Sequence, residues 1–306
     1  MKILTYRELK VKDGLLPLMD QAFRWPFNPR RFEKFIRIDP RSKDSPVGFC
    51  AVENDKVVGY VGVLDLATRT LDGDVKYVGG IYGVATLPGY TQRGISTALM
   101  NKSHEYFKSK GYHFSFLNTS PTLIAYAFYR KLGYSDVLEY SSVYKVLKKR
   151  GKAKSSLEVI SGKLDFDKIL RIFSEFSKSK TGFVVRDVAY MKMIKKAESL
   201  TARQFIVSDY GYVIFRKEKT GVWIRELVAL NSKEAERLIS YVEEMAKDLV
   251  YDRAVLDEQL LRVYASRGYT VQRRSHGVLM VKPLTTSVSF TETYGDEFYL
   301  SGLDTF

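Results

Sequence analysis

"GVATLPGYTQRGISTALM" runs from Gly83 to Met100. Its first residues read as a short strand. A Pro/Gly loop follows, and an apolar helix begins after Gly94. Such a join leaves several backbone N–H groups unobstructed at a helix start, a place that holds negative charge. What that charge belongs to decides both the fold and the chemistry.

The chain of 306 residues is long enough for two domains. With 45% hydrophobic and 27% charged residues it has the composition of a soluble globular protein. No apolar run reaches the length of a membrane span. The N-terminus "MKILTYRELK" lacks a signal-peptide core, so a cytoplasmic location is expected. One cysteine, Cys50, excludes an internal disulfide, and with three scattered histidines it argues against a zinc site. No metal is expected. The formal net charge of +14 attracts polyanions, or else marks a lysine-rich solvated surface. The densest basic run, "KVLKKRGKAKSS" from Lys145 to Ser156, reads most simply as a solvated strand end and linker.

Elements follow outward from the opening stretch. Before it, "VGFCAVENDKVVGYVGVLDL" alternates as a hairpin joined through Asn54 and Asp55. After it, Ile95, Ala98, Leu99, Tyr106 and Phe107 form a helical stripe, and "YHFSFL" is a strand. Ser120 reads as an N-cap with Pro121 at the first helical position, and that helix stops at Gly133. The second half repeats the plan. "GVWIRELVAL" is a strand, Asn231 and Glu234 suggest a capping box, and "SKEAERLISYVEEMAK" is a helix. "LLRVYASRGY" then echoes "AYAFYRKLGY", with Tyr264 and Tyr269 spaced like Tyr129 and Tyr134. No Pro/Gly loop follows Leu230.

Three phosphate-binding loops can be tested against the opening stretch. A dinucleotide fingerprint needs G-x-G-x-x-G, which is absent. A P-loop needs lysine after its second glycine, and Ile95 stands there instead. The third is the pyrophosphate arm of acyl-coenzyme A. Here Thr91-Gln92-Arg93-Gly94-Ile95-Ser96 closely resembles the R/Q-x-x-G-x-G/A loop of the GNAT acetyltransferase superfamily. Thr91 and Ser96 depart from that pattern. Downstream, Thr122-x-x-Ala125-x-x-Phe128-Tyr129 followed by Gly133-Tyr134 is similar to the family's N-x-x-A-x-x-F/L-Y helix, with Thr122 in the place of Asn.

The resemblance covers about residues 1–145 and is specific over 80–134. It implies an α/β fold of mixed sheets and acetyl-CoA as the acyl donor. Gln92, Arg93, Gly94, Ile95, Ser96 and Thr97 would hold the pyrophosphate, and Val84, Ala85 and Thr86 would pair with the pantetheine. Ser120, Thr122 and Ala125 would line the same cleft, and Tyr129 would protonate the leaving thiolate. For the base, Glu33, Glu53, Asp55 and Asp65 are available acids and none stands out. His104 is expected to reach solvent, and His113 to lie near the wrong strand end.

The tandem arrangement resembles the enhanced-intracellular-survival class. It implies an active domain at 1–150, a degenerate GNAT-like domain at 151–284, and a tail at 285–306 in place of that class's sterol-carrier-like domain. That class places its terminal carboxylate in the active site. Here the role would fall to Phe306, carried by a tail that folds back to that site. The implied activity is acetyl transfer to a primary amine on a small molecule, an aminoglycoside-like compound or a protein lysine. A longer acyl or aminoacyl donor, and a non-catalytic acyl-CoA sensor or nucleic-acid binder, remain as alternatives. A homo-oligomer is left open.

Overall fold

The computed structural model describes residues 1–24, 27–147, 164–286 and 288–304. The chain divides into two compact units, residues 1–137 with 279–293, and residues 138–278 with 294–305. These boundaries differ from the expected ones at 150 and 284. The expected linker lies largely outside the described residues, and the tail is shared between the units rather than standing apart.

The first unit opens with β1 (Lys2–Thr5), α1 (Leu15–Phe23) and α2 (Pro29–Ile36). The hairpin β2 (Gly48–Glu53) and β3 (Lys56–Arg69) follows, then β4 (Val75–Thr86) and α3 (Ile95–Ser109). β5 (Phe114–Thr119) and α4 (Ile124–Lys131) come next, and β6 (Ser135–Val146) begins in this unit and runs on in the second. Asn54 and Asp55 both have positive φ, 49° and 60°, the conformation a tight two-residue hairpin demands. β1 to β4 form an antiparallel meander, β5 joins β4 in parallel, and a later strand, β12 (Thr270–Pro283), lies beside β5. Leu99, Phe107, Phe114 and Phe116, all but inaccessible, sit at the centre of this unit's core.

The second unit contains α5 (Phe166–Phe176), β7 (Thr181–Gly182), α6 (Val188–Ala197) and β8 (Phe205–Val207). β9 (Gly211–Lys217), β10 (Val222–Ala229), α7 (Ser232–Met245), β11 (Leu249–Val255) and α8 (Glu258–Ser266) follow. β12 (Thr270–Pro283) begins in this unit and ends in the first, and α9 (Phe290–Tyr294) leads into β13 (Phe298–Tyr299). The strand order is β6-β11-β10-β9-β8, and β13 pairs with β7 in parallel.

The internal repeat is real at the level of elements. Twice along the chain a strand runs antiparallel to its predecessor, feeds a helix, and is followed by a parallel strand, a short helix and a further strand. The helix ends match closely. Gly133 (φ 87°) and Gly268 (φ 79°) are left-handed stops, and the next tyrosine donates its N–H to the echo tyrosine's carbonyl, at 3.1 Å for Tyr134 to Tyr129 and 3.0 Å for Tyr269 to Tyr264. Among the described residues, no helix is long and apolar enough to cross a membrane.

Candidate active site

The cleft of the first unit begins with a backbone irregularity in β4. Tyr60 faces Ala85 and Gly62 faces Tyr82, so Gly83 and Val84 together oppose the single residue Val61. Gly83 has φ 59°, the left-handed glycine that such a bulge requires. The pairing of β4 with β5 covers Gly79–Ile81 against Ser115–Leu117. From Tyr82 onward the two parallel strands part. The edge of β4 that carries Val84, Ala85 and Thr86 has no paired position with β5 there. Sequence reasoning missed Gly83 as a functional position, although it begins the quoted stretch.

The loop of residues 87–94 carries the chain from β4 to α3. Two of its residues are left-handed, Gln92 at φ 60° and Gly94 at φ 74°. Gly94 is the N-cap of α3, which has no side-chain cap and no acid in its first turn. A Cβ built on Gly94 would meet nothing within 4 Å. The N–H groups that open α3 at Ile95, Ser96 and Thr97 are met by no side-chain cap, and the positive end of the helix dipole lies behind them. Ser96 and Thr86 share a 2.7 Å hydroxyl contact that ties the first turn of α3 to the end of β4.

Arg93 is engaged elsewhere than expected. Its guanidinium donates to both oxygens of Glu53 at 3.0 Å and lies 5.0 Å over the Tyr90 ring. The pair is solvent-exposed, so an incoming phosphate competes against little. Glu53 thereby belongs to the phosphate end of the cleft.

At the far side, the residues after β5 differ from the expectation. Ser120 does not cap α4, which starts at Ile124 with Leu123 as its N-cap. Residues 120–123 instead close a turn, with Leu123 N–H donating to the Ser120 carbonyl at 3.0 Å and the Ser120 and Thr122 hydroxyls 2.8 Å apart. The serine hydroxyl satisfies its own local turn, a common competitor of the helix. Ala125 and Tyr129 lie one turn apart on α4.

Tyr129 is 7% exposed, and its ring meets Tyr134 edge-on at 6.1 Å. No hydrogen bond from its hydroxyl to a described residue is formed. Burial pushes its pKa up to about 12, so the phenol keeps its proton throughout the neutral range. Tyr134 next to it is structural: its hydroxyl lies 2.6 Å from the Ser115 hydroxyl and 2.9 Å from His104 Nε2.

The candidate bases are committed. His104 is buried rather than solvent-facing, and desolvation pushes its pKa down to about 3. Tyr106 donates to both oxygens of Asp65 at 3.0 and 3.1 Å. Glu33 accepts from Tyr6 at 2.8 Å and pairs with Lys12 at 3.1 Å. Asp55 forms the hairpin turn. His113 lies against Thr285, with Nδ1 3.2 Å from its hydroxyl. Phe306 lies outside the described residues. Among those described, no group of three or more His, Cys, Asp or Glu is placed to hold a metal ion.

The corresponding place in the second unit is narrowed to a small cavity, lined among others by Asn231, Asp252, Tyr299 and Gly302. Arg225 is the extra residue of a bulge in β10, and pairing with β11 covers Val222–Ile224. Strand and helix are joined only through Leu230 and Asn231, and the Asn231 side chain accepts from Glu234 N–H at 2.9 Å. Only this half of the expected capping box is formed. Glu234 places a buried negative charge in the first turn of α7. This unit's own C-terminal segment forms one wall of the cavity: a Cβ on Gly302 would lie 2.5 Å from the Arg225 carbonyl oxygen. Asp304 and Glu226 both accept from the buried guanidinium of Arg186 at 2.8 Å, and the Tyr299 hydroxyl donates to Glu226 at 3.1 Å. Tyr264, the echo of Tyr129, spends its hydroxyl on Asp252 at 3.3 Å.

Residues 6–137 match the family model described as an acetyltransferase (GNAT) domain. No curated protein matches the sequence. Among solved structures, the chain is similar to a GCN5-related N-acetyltransferase from Anabaena variabilis, at 17% identity and TM-score 0.65 over 93% of this chain and 73% of that one. It is also similar to Eis1 from Mycobacterium abscessus, at 14% identity and TM-score 0.64 over 93% and 74%. A third is a GCN5-related N-acetyltransferase from Kribbella flavida, at 20% identity and TM-score 0.62 over 92% and 70%. At these identities the likeness is one of fold.

Proposed function

Taking residues 6–137 as the GNAT domain they match, we propose that this protein transfers an acetyl group from acetyl-CoA to a primary amine. One observation carries the reading: an uncapped helix start, opened by left-handed Gly94, lies at the end of a strand that has parted from its parallel neighbour. The α3 N-terminus suits a pyrophosphate, with Gln92 to Thr97 around it and Arg93 able to leave Glu53 for it. The free edge of β4 at Val84–Thr86 suits an extended pantetheine and offers a backbone N–H to the thioester oxygen. Ser120, Thr122 and Ala125 border the same cleft.

In the reaction the neutral amine attacks the thioester carbon and forms the C–N bond. The C–S bond then breaks and the electron pair goes to sulfur. Tyr129 gives its proton to that thiolate and regains one from solvent, while the proton lost by nitrogen leaves through water. The unspent hydroxyl and high pKa of Tyr129 support this role, because a phenol that holds its proton until a thiolate forms is an effective acid. Glu33, Glu53 and Asp65 hold other partners and Asp55 sits in the hairpin turn, so free amine rather than ammonium is the acceptor.

The test is release of free thiol from acetyl-CoA in the presence of polyamines, aminoglycosides and lysine peptides. Thiol release above hydrolysis with at least one amine is expected, and acetyl-CoA raises the melting temperature. Neither stabilisation nor thiol release would overturn the reading.

A further inference from the structure

One face of the second unit's sheet packs against α7: Val143, Phe215, Val222, Ile224 and Val250 share a core with Leu238, Ile239 and Val242. The alternating residues point the other way. There the register sets Arg216 of β9 beside Trp223 of β10, Trp223 beside Tyr251 of β11, and Tyr251 beside Tyr144 of β6. This is a row of three aromatics across three adjacent strands, about 4.8 Å apart by sheet spacing. The Trp223 and Tyr251 rings are stacked, with centroids 5.9 Å apart and planes at 16°. Tyr144 is 36% exposed, and Val146, two residues further along the same face, is 74% exposed.

Arginines frame the row. Arg253, exposed, lies 4.8 Å over the Trp223 ring and 5.0 Å over Tyr251, and it forms no ion pair with a described residue. Arg225 lies 4.2 Å from the Trp223 ring on the same side of the chain's alternation. Arg225 and Arg216 both pair with Glu198, which follows α6 directly, and Arg216 also pairs with Glu218 at 3.4 Å. Lys192, Lys195 and Lys196 of that helix line an open groove with Ser199 and have no ion partner among the described residues.

A fold does not need three solvent-accessible aromatics on a sheet face beside Arg253 and three α6 lysines that pair with no described carboxylate. We propose that this face is a platform for single-stranded RNA. Unpaired bases stack on Tyr144 and, as the exposed Arg253 swings off the Trp223 and Tyr251 rings to a phosphate, on those rings too, and the phosphates run on toward the α6 lysines. Aromatic rings serve any base because every base has a π-face, and a duplex cannot offer its bases this way. The charge complementarity is strong in a chain of net charge +14. RNA is the source chosen because it is the commoner store of unpaired bases in a cell.

The test uses the full-length protein and a fluorescein-labelled oligouridylate, read by anisotropy across a salt series. Competitors are the same sequence as DNA, an RNA duplex and inorganic polyphosphate. Saturable binding is expected, displaced by single-stranded RNA better than by the others. Tyr144→Ala should weaken it about fivefold or more. Arg253→Glu should weaken it further and flatten the slope of log K against log salt by about 0.7 or more. Both residues are at the surface, so the variants fold, and unchanged acetyl-CoA stabilisation checks this separately from the proposed acetyl transfer. Absence of binding at low salt, insensitivity to both variants, or equal displacement by polyphosphate overturns the proposal. So does a preference for DNA, or self-association of the protein that these variants abolish, since a second copy then covers the face.

Discussion

The two units share a sequence of elements and differ at one place, the join between the bulged strand and the helix after it. In the first unit residues 87–94 intervene, Gly94 caps the helix without a side chain, and nothing lies within 4 Å of its absent Cβ. In the second, Leu230 and Asn231 make the join, Asn231 satisfies the first turn, and Glu234 opposes any anion there. Both strands are bulged and both part from their parallel neighbours. The bulge therefore makes an opening but not a binding site. What separates a cleft from a filler is whether helix N–H groups are left unspent and whether another segment takes the space. In the second unit the segment around Gly302 takes part of it and leaves a small cavity, and the buried Arg186–Asp304–Glu226 cluster holds that segment down.

Four experiments bear on this contrast. The largest effect is all-or-none: Gly94→Asp should abolish stabilisation by acetyl-CoA in thermal melts, while Gly94→Asn should keep much of it. Both residues tolerate the left-handed conformation, so the difference isolates charge at the helix start. Equal behaviour of the two would remove the pyrophosphate from this end.

Next, Tyr129→Phe should lower turnover about 10²–10⁴-fold with cofactor affinity unchanged. Because burial raises the Tyr129 pKa to about 12, its protonated form persists as pH rises, and activity should climb with free amine without a fall below about pH 10. A descending limb below pH 9 that Tyr129→Phe removes would contradict that assignment.

Third, Asp304→Ala should destabilise the protein by about 3 kcal/mol in urea melts. That is the low end for breaking a buried ion pair, because Glu226 still holds Arg186. A change under 1 kcal/mol would mean this ion cluster is not what holds the C-terminal segment in the second cleft.

Smallest, Tyr264→Phe should cost about 1–2 kcal/mol of stability through the lost donor to Asp252, and leave turnover intact. Tyr129→Phe should do the reverse. Similar kinetic losses from both would erase the distinction between the tyrosines.

Local features were readable in the sequence because local residues cause them. Gly94 before an apolar stripe, Asn54-Asp55 between alternating runs, and Gly133 and Gly268 after their helices each act within a few residues. The misread features depend on competition. Ser120 looked like a helix cap, but its hydroxyl and carbonyl close the turn of residues 120–123, and the helix waits until Ile124. His104 looked solvent-facing, but the α3 stripe is wide enough to bury it against Tyr134.

The sequence by itself determined that a strand, an open loop and an uncapped helix follow one another once and not twice, because backbone conformation there is set by glycine, proline and capping side chains. It also determined the spacing of the two echo tyrosines. Tertiary structure alone decided which tyrosine keeps an unspent hydroxyl, that Gly83 bulges β4 away from β5, that Gly302 packs on the Arg225 carbonyl, and that Arg216, Trp223, Tyr251 and Tyr144 align in one row. These depend on partners distant in sequence. Strand register and burial, not local propensity, choose such partners.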